Sequence, residues 1–270
     1  ARALQGAADE HSSANSTEVL NVPGAGGTIG LARLSGQGGR GDTLMLSGAV
    51  MMGSIAMTGS ETTLQDVTPI ARLADDYSAV VVPADSPYQS INDLVAAWQK
   101  DPLSVAIGGG SAGGTDHLLT GLLMETSGID TDKLNYIAYS GGGEVVAGML
   151  NGGLDAGVSS YDDFADQIKT GELRALGISS DERLPGVHVP TFIEQGVDVE
   201  LANWRGLVAP PGITDEQRAE LTRMAVRMHD TPEWRDALER NGWEDTFQTG
   251  DDFQRFIDAE TKRIRVEGAF

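Results

Sequence analysis

The chain has 270 residues, 40% of them hydrophobic and 22% charged, a balance typical of a soluble globular protein long enough for two domains. Its 40 acidic and 19 basic residues give a formal net charge of -21, which argues against nucleic acid or an anionic membrane surface as a partner. The absence of cysteine excludes thiol nucleophiles, disulfides and thiolate metal sites.

Apolar runs and amphipathic segments alternate along the chain and predict strands and helices in turn. The predicted strands cover residues 19–22, 43–47, 79–82, 103–107, 135–139, 154–158, 173–178 and 203–209. The predicted helices cover residues 1–10 (as a helix end), 28–34, 90–99, 115–126, 144–150, 164–169, 215–229, a segment opening at 231–233, and 251–266. Such alternation predicts parallel α/β sheets covered by helices. No apolar run approaches the roughly 20 residues that span a bilayer.

Three segments share one design, in which an apolar strand leads through a glycine-rich turn into the start of a helix. They are residues 19–30, 105–117 and 137–146. The first N–H groups of a helix have no partner inside the helix, and the aligned peptide dipoles place about half a positive charge there. Such ends bind carboxylate or phosphate without a basic side chain, which suits a strongly acidic chain. One such turn is weak support for a site, and three in the same context are stronger.

Two segments match nucleotide-binding motifs only in part. Residues 24–30 resemble a dinucleotide-binding glycine motif, yet no convincing βαβ unit supplies the acid that would bind the ribose. Residues 108–114 lack the lysine of a phosphate-binding P-loop. Nucleotide binding is therefore disfavoured.

A serine hydrolase is the main alternative to a binding protein, because Ser111 lies in a Gly-x-Ser-x-Gly sequence after a predicted strand. Its partner would have to be one of His11, His117, His188 and His229. None of them follows the acid-then-histidine order of such enzymes, and His229 is expected at the surface. The esterase hypothesis stays open beside the favoured one.

Polar and aromatic side chains at strand ends are further candidates for ligand contact, with ordinary packing as the competing interpretation. They are Tyr139, Tyr161, Asp162, Trp204 and Arg205. Arg205 has the most to offer a carboxylate, since guanidinium pairs with it through two hydrogen bonds. His117 beside Asp116 lacks further ligands at helical spacing, so no metal or other cofactor is expected; His117 is predicted to cap or pack beneath its loop, or to touch the ligand.

Conspicuous motifs follow in order along nearly the whole chain. They are VPGAGGTIG (22–30), GGSAG (109–113), DHL (116–118), YSGGG (139–143), NGGLDAG (151–157), GELRAL (171–176), VPTFIEQG (189–196), NWRG (203–206) and PPG (210–212). In this order the sequence resembles the substrate-binding proteins of tripartite tricarboxylate transporters, the TctC/Bug family. The form of NWRG resembles the tricarboxylate branch of the family more than its other branches.

The resemblance implies a type II periplasmic-binding-protein fold, with two α/β domains that close on a ligand cleft. Residues 1–86 and 205–270 would form domain 1, and residues 87–204 domain 2. It also implies a monomer exported to the periplasm or the outer membrane face, with or without a lipid anchor. A citrate-like di- or tricarboxylate would be delivered to membrane subunits of the transporter, without catalysis.

Together with the strand-end arguments above, the resemblance leads us to expect ligand contacts in seven segments of the chain. These are Gly24, Ala25, Gly26, Gly27 and Thr28; Ser47 and Gly48; Ser111, Ala112, Gly113, Gly114 and Thr115; His117; Tyr139, Ser140, Gly141 and Gly142; Ser160, Tyr161 and Asp162; and Arg205. The sequence departs from the family at its start. In the family, a strand and another ligand loop come before a helix, and Ala1-Arg2-Ala3 matches the end of that helix. If that loop is truly missing, through truncation or disorder, we expect weaker binding.

Overall fold

The structure is a computed structural model that describes Gln5 and residues 18–266, the side chains of residues 264–266 excepted. Its strands are β1 (Met45–Gly48), β2 (Thr68–Ala74), β3 (Ser78–Pro83), β4 (Ile107–Gly109), β5 (Tyr136–Ala138), β6 (Ala156–Ser160), β7 (Leu173–Ile178), β8 (Arg205–Ala209) and β9 (Gln248–Thr249). Its helices are α1 (Thr28–Ser35), α2 (Ala49–Thr58), α3 (Ile91–Lys100), α4 (Thr115–Thr126), α5 (Gly142–Leu150), α6 (Tyr161–Thr170), α7 (Asp215–His229), α8 (Pro232–Asn241) and α9 (Gly250–Val266). Among the described residues, none of the helices is long and apolar enough to cross a membrane.

The first unit contains the described residues up to Asp76 and those from Trp204 onward. Its described strands form one sheet in the order β1-β8-β2-β9, and each neighbouring pair is antiparallel. Trp204, Phe253 and Ile257 are fully buried in a core on one side, and Trp234 lies in a second core with α7 and α8. The unit therefore has the layered α/β build expected from the sequence.

The prediction of parallel sheets is wrong for this sheet. Strands β1 and β2 do run in the same direction, as a strand-helix-strand unit requires. The returning strand β8 lies between them and pairs antiparallel with both, from Met45↔Val208 on one side to Thr68↔Ala209 on the other. Because β8 lies far along the chain from β1 and β2, its local sequence pattern does not indicate the direction in which it pairs with them.

The second unit runs from Tyr77 to Asn203. Its five strands are ordered β5-β4-β6-β3-β7, with β4 parallel to β5 and β6, and with β3 antiparallel to β6 and β7. Trp98, Ile107 and Phe192 have no exposed surface and lie in its main core. Here the parallel prediction is correct for β4, β5 and β6, and the first two of these lead into glycine-rich turns.

The domain boundaries implied by the sequence fall after residues 86 and 204, and the first of them differs from the boundary between these units. Strand β3 pairs with β6 and β7, so the chain enters the second unit after Asp76. The composition changes little around residue 86, and long-range strand pairing decides where β3 belongs. The second point, near Asn203 and Trp204, is almost the same in both divisions.

Several helix ends follow from capping chemistry. The hydroxyl of Ser90 accepts from Asp93 N, and the Asp93 carboxylate accepts from Ser90 N in return, which starts α3. Thr214 and Gln217 make the same exchange at the start of α7. The predictions of α4, α7 and β7 are confirmed with their bounds.

Two predicted strands are wrong or displaced. Residues 19–22 form no strand, and Leu20 is 65% exposed, so the apolar run is not buried as expected. The predicted strand at residues 103–107 overlaps a short 3-10 helix, Pro102–Ser104, and the observed strand begins only at Ile107. Pro102 favours the first turn of a helix because its φ angle is already helical there. The predicted helix end over residues 1–10 lies outside the described residues apart from Gln5.

Candidate functional site

The segments that follow the three parallel strands of the second unit, loops after β4 and β5 and helix α6 after β6, leave one edge of its sheet. The register Gly109↔Ala138 joins β4 to β5, and Gly108↔Gly157 joins β4 to β6. Because neighbouring parallel strands end at the same edge, the loops that follow them start side by side. This edge collects the predicted contacts Ser111–Thr115, His117, Tyr139–Gly142 and Ser160–Asp162.

The loop after β4, residues 110–114, is held by side chains at both of its ends. Gly110 N donates to an oxygen of Asp116 at 2.9 Å, and the Tyr136 hydroxyl donates to Gly110 O at 2.9 Å. Gly113 N donates to His117 Nδ1 at 3.1 Å, so the neutral ring carries its proton on Nε2. Burial lowers the pKa of His117 and raises that of Tyr136, which favours the neutral form of both rings. The prediction that His117 caps or packs beneath its loop is therefore confirmed.

The middle of this loop contains two backbone donors that no acceptor in the described part of the chain uses. Ser111 and Ala112 are exposed, and within the described part of the chain their N–H groups have no hydrogen-bond acceptor. They stand just before Gly114, the N-cap of α4, and Thr115, its first residue. Two free amides at the positive end of a 12-residue helix are suited to an anion of one carboxylate's size.

The loop after β5 is arranged differently from the loop after β4. The Tyr139 ring packs over Gly108, where a Cβ would lie 3.1 Å from it, and its hydroxyl lies over Gly148. Ser140 N donates to Glu144 at 3.0 Å. Tyr139 therefore contributes to packing, and the chain's own Glu144 uses one of the amides that were predicted to meet the ligand.

After β6 the chain passes directly into α6, which brings acidic groups to the same edge. Asp162 and Asp163 lie in the first turn of α6, and Asp163 accepts from the Ser159 hydroxyl at 2.6 Å and lies directly against Gly142. Burial raises the pKa of Asp162, and the Asp163 charge adds to the effect. Burial also raises the pKa of Tyr161, with a smaller contribution from Asp162. These carboxylates oppose the attraction of the α5 and α6 dipoles for a second anion.

In the first unit, residues 24–28 form a tight turn against α2. Gly26 has φ +59°, and a Cβ there would overlap the side chain of Ser54, so only glycine fits. Gly27 N donates to Gly24 O at 3.0 Å, and the Thr28 hydroxyl donates to Ala25 O at 3.0 Å. Some of the hydrogen-bonding groups of the turn are therefore bonded within the turn itself, and its other amides lie at the start of α1.

Ser47, Gly48 and Arg205 lie together in the same unit, since Gly48 is paired with Arg205 in the register of β1 and β8. The Ser47 hydroxyl donates to Gly206 O at 3.3 Å. The Arg205 guanidinium lies 3.3 Å from Asp76 and 4.8 Å from the centre of the Trp243 ring. Asp76 therefore offsets the charge that Arg205 was predicted to offer a carboxylate.

The hydrolase alternative needs a base for Ser111. His117 Nδ1 already accepts from Gly113 N. His229 lies in the first unit, where it is stacked on Phe247 and bonded to Asp245 at 2.9 Å. Among the described residues, no group of three His, Asp or Glu side chains is placed to hold a metal ion.

Two residues that shape the loop after β4 had no signal in the sequence analysis. Tyr136 lies inside a strand and acts 26 positions away from Gly110, and Ser78 reaches Asp116 across 38 positions. Their partners depend on strand order.

We expect the His117 contact to make stability pH-dependent. Because burial lowers the pKa of His117, the unfolded chain takes up the proton first, so the contribution is complete above about pH 6.5 and is lost as the pH falls below it. In the variant H117N, the side-chain amide oxygen can accept from Gly113 N without titrating. The stability of the wild-type protein relative to H117N should fall between pH 8 and pH 5 in chemical denaturation. H188N, which changes an exposed histidine, is the control, and a pH-independent difference for H117N would refute the expectation.

The chain matches the family model described as tripartite tricarboxylate transporter family receptor over residues 1–266. It is similar to Protein BugT of Bordetella pertussis, with 29% identity over 265 residues that cover 93% of this chain and 79% of that protein. A UPF0065 protein of Cupriavidus necator is 26% identical over 252 residues, which cover 92% and 75% of the two chains.

Solved structures share the fold over nearly the whole chain. A TctC solute binding protein from Polaromonas superposes with a TM-score of 0.81 at 27% identity, covering 99% of this chain and 91% of that one. MatC of Rhodopseudomonas palustris, solved with bound malate, has a TM-score of 0.81 at 20% identity, covering 98% and 92%. The type II binding-protein fold implied by the sequence is thus confirmed.

Proposed function

The chain belongs to the receptor family of the tripartite tricarboxylate transporters, and from this premise we propose that it captures a small di- or tricarboxylate for such a transporter. The capture takes place outside the cytoplasm, in the periplasm or at the outer face of the membrane. The membrane subunits of the transporter are the proposed partners.

The N–H groups of Ser111 and Ala112, two exposed residues that precede α4, carry this proposal, because they have no acceptor within the described part of the chain. They lie in a loop whose two ends are fixed by Asp116, Tyr136 and His117, so binding costs little ordering. Dipoles and amides attract the ligand locally, although the net charge of the chain repels anions at long range.

Within this class, a dicarboxylate is favoured over a tricarboxylate such as citrate. Glu144, Asp162 and Asp163 place negative charge at the carboxyl edge of the second unit's sheet. A third ligand carboxylate near this edge would meet repulsion that neither α5 nor α6 can offset. Malate, bound by MatC, and adipate, bound by another R. palustris protein of this fold, are both dicarboxylates.

We propose a binding function without turnover. The Ser111 hydroxyl lies in an exposed loop, and the histidine closest to it in sequence uses Nδ1 to hold Gly113. An esterase would need that nitrogen, or the other one, directed at the hydroxyl as a base.

A thermal-shift series tests the proposal. A ligand that binds only the folded chain stabilises it by about 2.7 kcal/mol at 100 times its Kd, so malate, adipate or citrate should raise the unfolding midpoint. Sodium chloride at matched ionic strength is the control for salt effects. The absence of any shift at about 10 mM of each acid would count against the proposal. Hydrolysis of model esters that disappears in S111A would establish the esterase instead.

A further inference from the structure

Asp116 joins the loop after β4 to the start of β3. Its carboxylate accepts from Gly110 N at 2.9 Å with one oxygen and from the Ser78 hydroxyl at 3.1 Å with the other. Two glycines leave room for this side chain, since a Cβ at Gly109 or at Gly110 would lie in tight contact with Asp116, at 3.0 Å. The sequence around the loop is therefore fitted to this carboxylate.

From Ser78 the hydrogen bonds continue through the buried Ser179. Ser78 N donates to the Ser179 hydroxyl at 3.1 Å, and that hydroxyl donates to Leu201 O at 2.7 Å. Backbone bonds reinforce both links, from Ser179 N to Ser78 O and from Leu201 N to Ser179 O. Ser78 stands just after the chain enters the second unit at Tyr77, and Leu201 just before it leaves after Asn203.

We propose that Asp116 is a positioning residue, which fixes the loop of residues 110–114 for ligand binding and ties it to the segments where the chain enters and leaves the second unit. By taking Gly110 N–H, the carboxylate sets the direction of the next two amides, those of Ser111 and Ala112. The ligand half of this inference rests on the proposed function. The loop half does not, since it concerns only the unliganded chain.

The variant D116A removes both bonds and should weaken binding about 10- to 100-fold, the range for hydrogen bonds to a charged group. The probe is whichever of malate, adipate and citrate binds the wild-type protein most tightly, measured by titration calorimetry. In D116N, the amide oxygen can accept from Gly110 N while its NH₂ donates to the Ser78 hydroxyl, so most of the affinity should return. S78A should lower the affinity about threefold in the wild-type background, and it should not lower the affinity further in a D116A background.

Amide hydrogen exchange at Gly110 supplies a readout that needs no ligand. Exchange should be faster in D116A than in the wild-type protein and close to wild-type in D116N. D93A is the matched control, because Asp93 likewise lies in the first turn of a helix of this unit and accepts from backbone N–H groups that precede that helix, Gln89 N and Ser90 N. It should lower stability without changing affinity or Gly110 exchange.

The outcomes separate this inference from the proposed function. If no carboxylate binds the wild-type protein, the proposed function fails, and Gly110 exchange still decides whether Asp116 holds the loop. Wild-type affinity in D116A, or D116N as weak as D116A, would overturn the positioning role. Should D116A not fold, D116N and S78A carry the same comparison.

Discussion

Replacing Arg72 with alanine should lower the free energy of unfolding by about 3–5 kcal/mol, the range for breaking a buried ion pair. Arg72 is 8% exposed and Asp75 not at all. The guanidinium makes two hydrogen bonds to Asp75, that of Nε at 3.0 Å, and lies 3.7 Å from the centre of the Phe256 ring. Without it, the one hydrogen bond left to the buried carboxylate from the described residues is that of the Thr246 hydroxyl, at 2.8 Å.

The pH dependence of this loss identifies its cause. Burial raises the pKa of Asp75, and Arg72 opposes the rise. In R72A the pKa should rise further, so the folded chain would prefer a neutral carboxyl, and the penalty would shrink as the pH falls toward 4. Denaturant unfolding of the wild-type protein and R72A at pH 7 and at pH 4 measures the loss of unfolding free energy at each pH. An equal loss at the two pH values would contradict the buried-charge explanation.

Two further variants control for this prediction. R40A breaks another Arg–Asp ion pair, the exposed pair between Arg40 and Asp42. It should change the free energy of unfolding little, because solvent screens this pair. The double replacement R72M/D75L removes both buried charges together. It should recover part of the stability lost in R72A, since no unpaired carboxylate is left in the core.

The same pair shows why β2 was not predicted. The segment Thr68–Ala74 contains Pro69 and Arg72, which interrupt an apolar strand pattern, yet it lies almost entirely buried between β8 and β9. Only the partner at Asp75 makes a buried arginine tolerable. Helix α2 was missed for the opposite reason. Its residues, from Ala49 to Thr58, are apolar or small on all sides, so no amphipathic period is visible.

Local physics explains what was predicted well. The ends of α3 and α7 follow from side-chain caps within four residues, and α4 begins at Thr115, directly after the cap Gly114. The same local reasoning predicted glycine-rich turns after β4 and β5, and their role as anion loops stays a prediction. What lay beyond reach were contacts across many residues, such as Arg205 with Asp76 at a separation of 129 positions. Whether a loop amide meets the ligand or the chain's own carboxylate, as at Ser140, depends on such contacts.

A negative charge placed in the loop after β4 should abolish most of the binding. In S111D a carboxylate would stand among the amides proposed for the ligand, both occupying them and repelling the anion. Two unit charges 4 Å apart interact by about 4 kcal/mol at an effective dielectric constant of 20, and screening reduces this at an exposed loop. We therefore expect a loss of about 100-fold in affinity, or roughly 2.7 kcal/mol, in titration calorimetry with the dicarboxylate that binds most tightly.

Matched variants separate charge from shape in this experiment. S111N has nearly the same size without the charge and should bind far better than S111D. S104D adds the same charge to an exposed serine that precedes β4, at the opposite edge of the sheet, and should retain wild-type affinity. Added salt should narrow the gap between S111D and S111N, because the repulsion is screened. If S111D bound as tightly as S104D, residues 110–114 would not be the anion site, and the turn of residues 24–28 in the first unit would become the stronger candidate.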